Sequence, residues 1–447
     1  MQQTAIHITK AFQDAGYEAY FAGGSVRDML MGSEPQDYDI ATSATPDEIE
    51  KVVDEMHLES KTIPIGKQFG VILGIVNGHE FEIATFRSDS SASDGRRPDA
   101  VFFTSAKEDA VRRDFTINGL FYDPLQKKVI DYVGGQKDIQ NKTVRFIGEP
   151  HERIKEDHLR ILRAIRFRNN FGFDYDPQTK MALQELSHLV ATISKERVRD
   201  ELTKMLLHPN RAHSMRELID FGIMQHLIPE LVQTEEVDQP LQYHQEGDVM
   251  NHLLLALKNI PPEWVTEELV WGVLLHDIAK PRTYSEAERI RFDGHAQLSA
   301  EMADKILRRL KFPKIKITHI TWMIHHHMSI GQIPQMRRAH QVDFFLNPWF
   351  EELMRLSYCD ERGSLPVDLT LQDQVMALYE EFKSQKLLES DFKPFLDGEE
   401  IMKLTGLKPG PKIKELLESL RHAQIEGEVK TRGEAEEWLT KKLSIEI

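Results

Sequence analysis

Three carboxylates and a pair of glycines near the start of the chain carry its first candidate chemistry. Gly23-Gly24-Ser25-Val26-Arg27-Asp28 is followed by Asp37-Tyr38-Asp39-Ile40. Two glycines after a strand let the backbone approach an anion closely and turn N–H groups toward it. Arg27, on the turn into the next helix, can reach the same anion. In a strand, positions i and i+2 share a face. Asp37 and Asp39 therefore point the same way, and together they suit Mg²⁺, which also takes phosphate oxygens. Glu82, in a later strand, is the candidate third carboxylate. Metal ions held in this way stabilise the attacking and leaving oxygens of a phosphoryl displacement.

Two further clusters add cations. Arg112-Arg113-Asp114-Phe115-Thr116-Ile117-Asn118 offers guanidinium donors for phosphate and an amide for a sugar hydroxyl. Glu156-Asp157-His158-Leu159-Arg160-Ile161-Leu162-Arg163-Ala164-Ile165-Arg166-Phe167 places Leu159, Leu162 and Ile165 on one helical face. Asp157, Arg160, Arg163 and Arg166 form a polar stripe beside it.

A second constellation lies farther along: His252, His276-Asp277, His295, His325-His326-His327 and Asp360. Imidazoles and carboxylates on neighbouring helices make a mixed nitrogen and oxygen site for a divalent metal.

The elements that must position these groups are legible as well. Ile6 to Ala15 reads as a helix, Ala19 to Ala22 as a short strand, and Val101 to Thr104 as another. Val71 to Val76 and Glu80 to Phe86 read as strands joined at Asn77-Gly78, a hairpin signal. From about residue 150 the apolar spacing is helical almost throughout. The expected class is α+β, an α/β head followed by an all-helical remainder. The expected segments are a head over 1–140, a helical neck over 141–235, a helical domain with the histidine constellation over 236–385, and a helical tail over 386–447. The chain has 447 residues, 40% of them hydrophobic, and no apolar run approaches the length of a membrane helix. The N-terminus has no basic-then-apolar pattern, and the single cysteine, Cys359, excludes internal disulfides and a CxxC zinc site. The expected location is the cytoplasm. Net charge is −16, which excludes a wholly basic nucleic-acid coat. Asn141 to Asn170 nevertheless holds eight Lys or Arg against four Asp or Glu, a strip able to contact phosphates.

Taken in order, the glycine-arginine turn, the Asp37-x-Asp39 pair, the Arg112 to Asn118 run and Glu156-Asp157-x-x-Arg160 resemble the class II tRNA nucleotidyltransferases and bacterial poly(A) polymerases. The resemblance implies that Asp37 and Asp39 bind metal with Glu82 as the further catalytic carboxylate. It implies that Gly23, Gly24, Arg27, Arg113, Asp114 and Asn118 hold the nucleotide. Asp157 and Arg160 would act as an amino-acid template for the base, supported by Arg163 and Arg166. The chemistry is consistent: cytosine and adenine each offer an exocyclic amine beside a ring-nitrogen acceptor, whereas uracil and guanine present a carbonyl to Asp157. The polar loop from Phe86 to Pro98 resembles the flexible loop of members that add A, and Ile65 to Gly70 resembles the nucleotidyltransferase form.

The expected partners are tRNA, ATP and CTP, the expected cofactor is Mg²⁺, and the expected reaction is addition of CCA to tRNA 3′ ends. Addition of A alone beside a separate CC-adding enzyme, and poly(A) synthesis, are the neighbouring readings. The histidine constellation resembles the HD-domain phosphohydrolases. That implies a metal site of His252, His276, Asp277 and Asp360, with His295 and one of His325 or His326 at a second ion or a phosphate. It also leaves open a hydrolase as the main activity. The stretch Phe395 to Leu443 resembles an RNA-binding tail, through Leu407-Lys408-Pro409-Gly410-Pro411 and Glu426-Gly427-Glu428.

Overall fold

Short apolar runs, and an apolar–polar alternation over His79–Thr85, lay down the central sheet. The strands are β1 (Ala19–Ala22), β2 (Ile40–Thr42), β3 (Ser60–Gly66), β4 (Val71–Val76), β5 (His79–Thr85), β6 (Arg87–Asp89), β7 (Val101–Phe103), β8 (Leu120–Asp123) and β9 (Lys128–Asp131). Seven of them form one mixed sheet in the order β3-β4-β5-β2-β1-β8-β9, while β6 and β7 pair separately. The computed structural model describes residues 1–56, 59–89, 101–388 and 394–445. Residues 90–100, most of the polar loop singled out above, lie outside them.

The β4–β5 hairpin turns at Asn77 and Gly78 with φ of 50° and 75°. Positive φ at both central residues is what a two-residue hairpin needs. Phe81 and Ile83 point into the core with Phe21, Ile40 and Ile72, and the helices Gln2–Asp14 and Pro46–Glu55 cover that face with Ile8, Phe12, Ile49 and Val53. Edge strands β3 and β9 were not anticipated. Pro64 argues against a strand, but β3 is at the sheet edge, where a missing donor is tolerated, and its register shifts between Ile63 and Gly66.

The chain divides into two compact units, Met1–Pro229 and Glu230–Ile447. The neck helices therefore fold with the head. Phe115, at the end of the arginine run, is fully buried and stacks on Phe146 at 4.8 Å, with Phe167 edge-on at 5.6 Å. The expected continuous stripe from Asp157 is corrected. The helix Pro150–Glu156 stops before Asp157, which is extended at φ −150°, and a new helix runs Arg160–Phe171. Asp157 is thus a residue between helices rather than a helical neighbour of Arg160. It is fixed by Leu159 N donating to its Oδ1 and Arg160 N donating to its carbonyl. The second helix ends at Gly172 with φ 64°.

Among its described residues the second unit is helical, with one small hairpin, Tyr284–Glu286 with Ile290–Phe292, that the helical pattern concealed. Its helices include Val249–Lys258, Glu267–Leu275, His295–Arg309, Lys314–His326 and Phe350–Glu361. The last helices, Gly398–Thr405, Pro411–Ile425 and Arg432–Ile445, share a core of their own through Leu396, Ile401, Leu416, Leu420 and Leu439. Among the described residues no helix is long and apolar enough to cross a membrane.

Truncating Phe115 removes the aromatic that joins head to neck. Phe115→Ala should destabilise the first unit by about 3–5 kcal/mol, read as a lower midpoint in urea unfolding, with Phe115→Leu costing less.

Candidate functional site

A cleft of about 970 Å³ in the first unit is lined by the head and neck residues expected to bind metal, nucleotide and base: Gly23, Gly24, Arg27, Asp37, Asp39, Glu82, Arg113, Asp114, Asn118, Asp157, Arg160, Arg163 and Arg166. Asp37 and Asp39 lie just before β2 rather than within a strand, yet the segment is extended. Tyr38 and Ile40 face the core, so the two aspartates face the cleft. Parallel pairing of Ile40 with Ile83 sets Asp39 beside Glu82 on the next strand. Burial pushes the Asp39 carboxyl up to about 6, and the charges of Asp37 and Glu82 add to the shift while Arg113 opposes it. Three crowded oxygen donors with surplus negative charge are the donor set of a hard divalent cation.

The glycine turn fits closely. Gly23 has φ 66°, and a Cβ there would lie 2.8 Å from the Arg113 guanidinium. Arg27 donates to Asn118 Oδ1 at 2.7 Å and to Asp28 at 2.8 Å, with its guanidinium 4.5 Å from the Phe171 ring. Arg113 is held by Asp109 Oδ2 at 3.0 Å and lies over Phe121. Asp114 is buried. It accepts from Arg163 Nε at 2.7 Å, Asn118 Nδ2 at 3.1 Å and the Phe115 N–H at 2.8 Å. Burial alone would raise its carboxyl, but Arg163 and these donors win and hold it at about 2. Arg166 pairs with buried Glu201 at 2.6 Å.

Asp157 and Arg160 both reach the cleft, each oriented by other groups. Arg197 donates to Asp157 Oδ2 at 2.7 Å. Arg160 donates to Glu156 and to the Arg153 carbonyl, both at 2.7 Å.

In the second unit, His252, His276, Asp277 and Asp360 bring donor atoms to one point. His252 Nε2 is 3.0 Å from Asp360 Oδ1, and His276 Nε2 is 3.2 Å from the same oxygen and 3.4 Å from Asp277 Oδ2. His276 Nδ1 donates to the Val273 carbonyl at 2.9 Å, which leaves Nε2 to face the carboxylates. Burial opposes a proton on His276, but Asp277 and Asp360 override it and push the imidazole up to about 10. A proton thus balances the carboxylates where a divalent ion could. Asp277 Oδ1, on the far side, is buried without a hydrogen-bond partner. It faces His295 at 3.3 Å and His327 at 3.9 Å.

The expectation of His325 or His326 beside His295 is therefore corrected to His327. Ile320, Met323, Ile324 and His327 form the buried stripe of that helix, whereas His325 is exposed and His326 donates to the Trp322 carbonyl.

The chain matches the Poly A polymerase head domain over residues 19–145, the probable RNA and SrmB-binding site of polymerase A over 172–234, and the HD domain over 250–362. A CCA-adding enzyme of Geobacillus sp. (strain WCH70) is 33% identical over 98% of this chain and 96% of its own length. The chain belongs to the CCA-adding enzyme family. A second member, from Bacillus pumilus, is 31% identical over 98% of the chain and 96% of its own length. The crystal structure of the Bacillus stearothermophilus CCA-adding enzyme in complex with CTP superposes with a TM-score of 0.72 at 25% identity, covering 99% of this chain and 98% of that one. Family membership implies divalent metals in head and HD domain, and both donor sets fit them.

Several groups escaped sequence reasoning. Arg197 lies four residues before Glu201, so one helix orients both Asp157 and Arg166. Glu246, in an irregular stretch with no periodic signal, is buried between His244 at 2.7 Å and His252 Nδ1 at 3.4 Å. Lys280 sits 2.6 Å from Asp277 Oδ2, one helical turn on.

Three outcomes follow from this geometry. Metal affinity at the head should fall as pH drops through about 6, where Asp39 takes up its proton; Mn²⁺ titration monitored by electron paramagnetic resonance, on a His276→Ala background, measures it. The same shift means the metal-free fold loses this stability contribution as pH rises from 3.8 through about 6. Glu246→Gln removes the carboxylate behind His252 and should weaken metal binding in the HD domain by about 10- to 100-fold, read by calorimetric titration.

Proposed function

We infer that the protein adds CCA to the 3′ ends of tRNA from CTP and ATP, releasing pyrophosphate. The observation that carries this is the single cleft uniting three carboxylates, the glycine turn and the Asp157 and Arg160 pair, in a chain matched along its whole length by CCA-adding enzymes.

The tRNA 3′-oxygen attacks the α-phosphorus of the bound nucleotide, an O–P bond forms in line, and the bond to the β-phosphate bridging oxygen breaks. Asp37 and Asp39, with Glu82 beside them, would hold Mg²⁺, which would supply positive charge for the displacement at phosphorus. The Gly24 turn, Arg27 and Arg113 seat the triphosphate, and the remaining donor of Asn118 would meet a ribose hydroxyl. Asp157 accepts a hydrogen bond from the exocyclic amine of cytosine or adenine, and Arg160 donates to the adjacent ring nitrogen. Uracil or guanine would set a carbonyl against the carboxylate, at roughly 1–3 kcal/mol per unsatisfied group. Arg197 keeps the Asp157 carboxylate in place, and Asp114 does the same for Arg163.

The HD cluster supports a metal-dependent phosphohydrolase as a second activity, on the strength of the buried, unsatisfied Asp277 Oδ1 between His295 and His327. His252, His276, Asp277 and Asp360 would hold the ion, and Lys280 adds a cation for a phosphoester.

Three tRNA transcripts, ending before CCA, after C and after CC, test the main reading with CTP, ATP or both. The expected result is completion of each to CCA and then a stop. Extension of the CC-ended transcript alone, or long A tails, would overturn it. Asp39→Ala should abolish extension. Asp157→Ala should reduce the preference for CTP and ATP over UTP and GTP by about 10- to 100-fold in single-turnover kcat/KM.

A further inference from the structure

A third cluster of metal-ligating side chains lies in the second unit, on residues that neither the nucleotidyl cleft nor the HD centre uses. His340 and Asp343 are three apart on the helix Arg338–Phe345 and so share a face. His422 comes from the helix Pro411–Ile425. Its Nε2 is 2.7 Å from Asp343 Oδ2, and its ring meets the His340 ring edge-on at 5.3 Å. One donor atom from each of the three lies within 4.8 Å of the others.

The surroundings suit an ion. Arg421 donates to Asp343 Oδ1 at 2.7 Å, which orients the carboxylate and leaves Oδ2 toward the two imidazoles. Such an outer hydrogen bond is usual behind a ligating carboxylate. A cavity of about 530 Å³, lined by Trp322, Met336, His340, Asp343 and Asn347 among others, opens beside the cluster and gives water access to remaining coordination positions. Glu426 Oε1 accepts from the Ala339 N–H at 2.8 Å, a second tie between the same two helices.

We propose that His340, Asp343 and His422 form a zinc-class metal site that staples the C-terminal helices to the helix Arg338–Phe345. Two imidazole nitrogens and one carboxylate oxygen favour Zn²⁺, Co²⁺ or Ni²⁺ over Mg²⁺, which prefers oxygen ligands in an octahedron. The site therefore does not compete for the cation of the nucleotidyl cleft. Ligation at about 2.0–2.1 Å in a tetrahedron sets donors about 3.3 Å apart, so the His422 to Asp343 contact must open by about 0.6 Å. Exposed side chains can give that much. The staple matters because the last helices have a core of their own, and the cluster sits where the second of them meets the preceding helical layer.

The test uses Zn²⁺ in excess Mg²⁺ with the full chain. A His252→Ala, His276→Ala variant removes both imidazoles of the HD set that includes Asp277 and Asp360; it should keep one equivalent of zinc by elemental analysis after gel filtration, and zinc should raise its Tm. Adding His340→Gln and His422→Gln should abolish both. The latter pair alone should lower zinc in the otherwise native chain by one equivalent and leave Mg²⁺-dependent CCA addition unchanged. That comparison still decides the matter if the HD variant fails to fold. Zinc content and Tm shift unaffected by His340→Gln and His422→Gln would overturn the proposal, as would an HD variant that folds and binds no zinc.

Discussion

The cleft of the first unit depends on one buried carboxylate. Asp114 receives Arg163 from the neck helix, the amide of Asn118 and the Phe115 N–H, and Asn118 in turn receives Arg27 from the glycine turn. One anion therefore fixes the relative positions of three sequence motifs. A buried charge is costly unless it is paired, and this one is paired on every side. Its carboxyl sits at about 2 rather than 3.8, so its contribution to stability is fully present above the ordinary value and is lost as pH falls through about 2. Around pH 7 the network is charged and rigid, as a site that must align a triphosphate with an attacking oxygen requires.

The same logic explains how a chain of net charge −16 handles polyanions. Arg27, Arg113, Arg160, Arg163 and Arg166 all face one cleft, and each is held by an acidic neighbour: Asp28, Asp109, Glu156, Asp114 and Glu201. Pairing fixes the guanidinium planes without exhausting their five donors. Guanidinium groups aimed in advance need little rearrangement when phosphate arrives, which is how fixed dipoles and charges favour a transition state. The acidic surplus elsewhere repels nucleic acid that does not enter the cleft.

What could be read from the residues follows the range of the interactions. The Asn77-Gly78 hairpin, the shared face of Asp37 and Asp39 and the placement of Glu82 are local rules of alternation and turn geometry. Strand β3 was not legible, because Pro64 reads against a strand and sequence does not say which strand becomes an edge. Asp157 misled because a helix break at a residue with no Gly or Pro leaves no local mark; the interruption is held by its own carboxylate and by Arg197, 40 positions on. The choice of His327 over its neighbours was available from the stripe Ile320, Met323, Ile324, His327. Glu246 was not, since its importance comes only from contact with His252.

The head and HD donor sets also differ in how they manage charge without a metal. In the head, burial first and then the charges of Asp37 and Glu82 make Asp39 bind its proton more tightly, to about 6. In the HD cluster, carboxylates are interleaved with imidazoles, and His276 takes the proton instead. A cation entering the head near neutral pH meets an Asp39 carboxylate that is already mostly ionised, so Asp39 releases little proton on binding. A cation entering the HD cluster must displace a proton that two carboxylates hold on His276. Metal occupancy of the HD cluster is therefore more strongly opposed by protons at neutral pH than that of the head. Separate hardness and separate proton coupling would let one chain distinguish two kinds of metal centre in the same pool of ions.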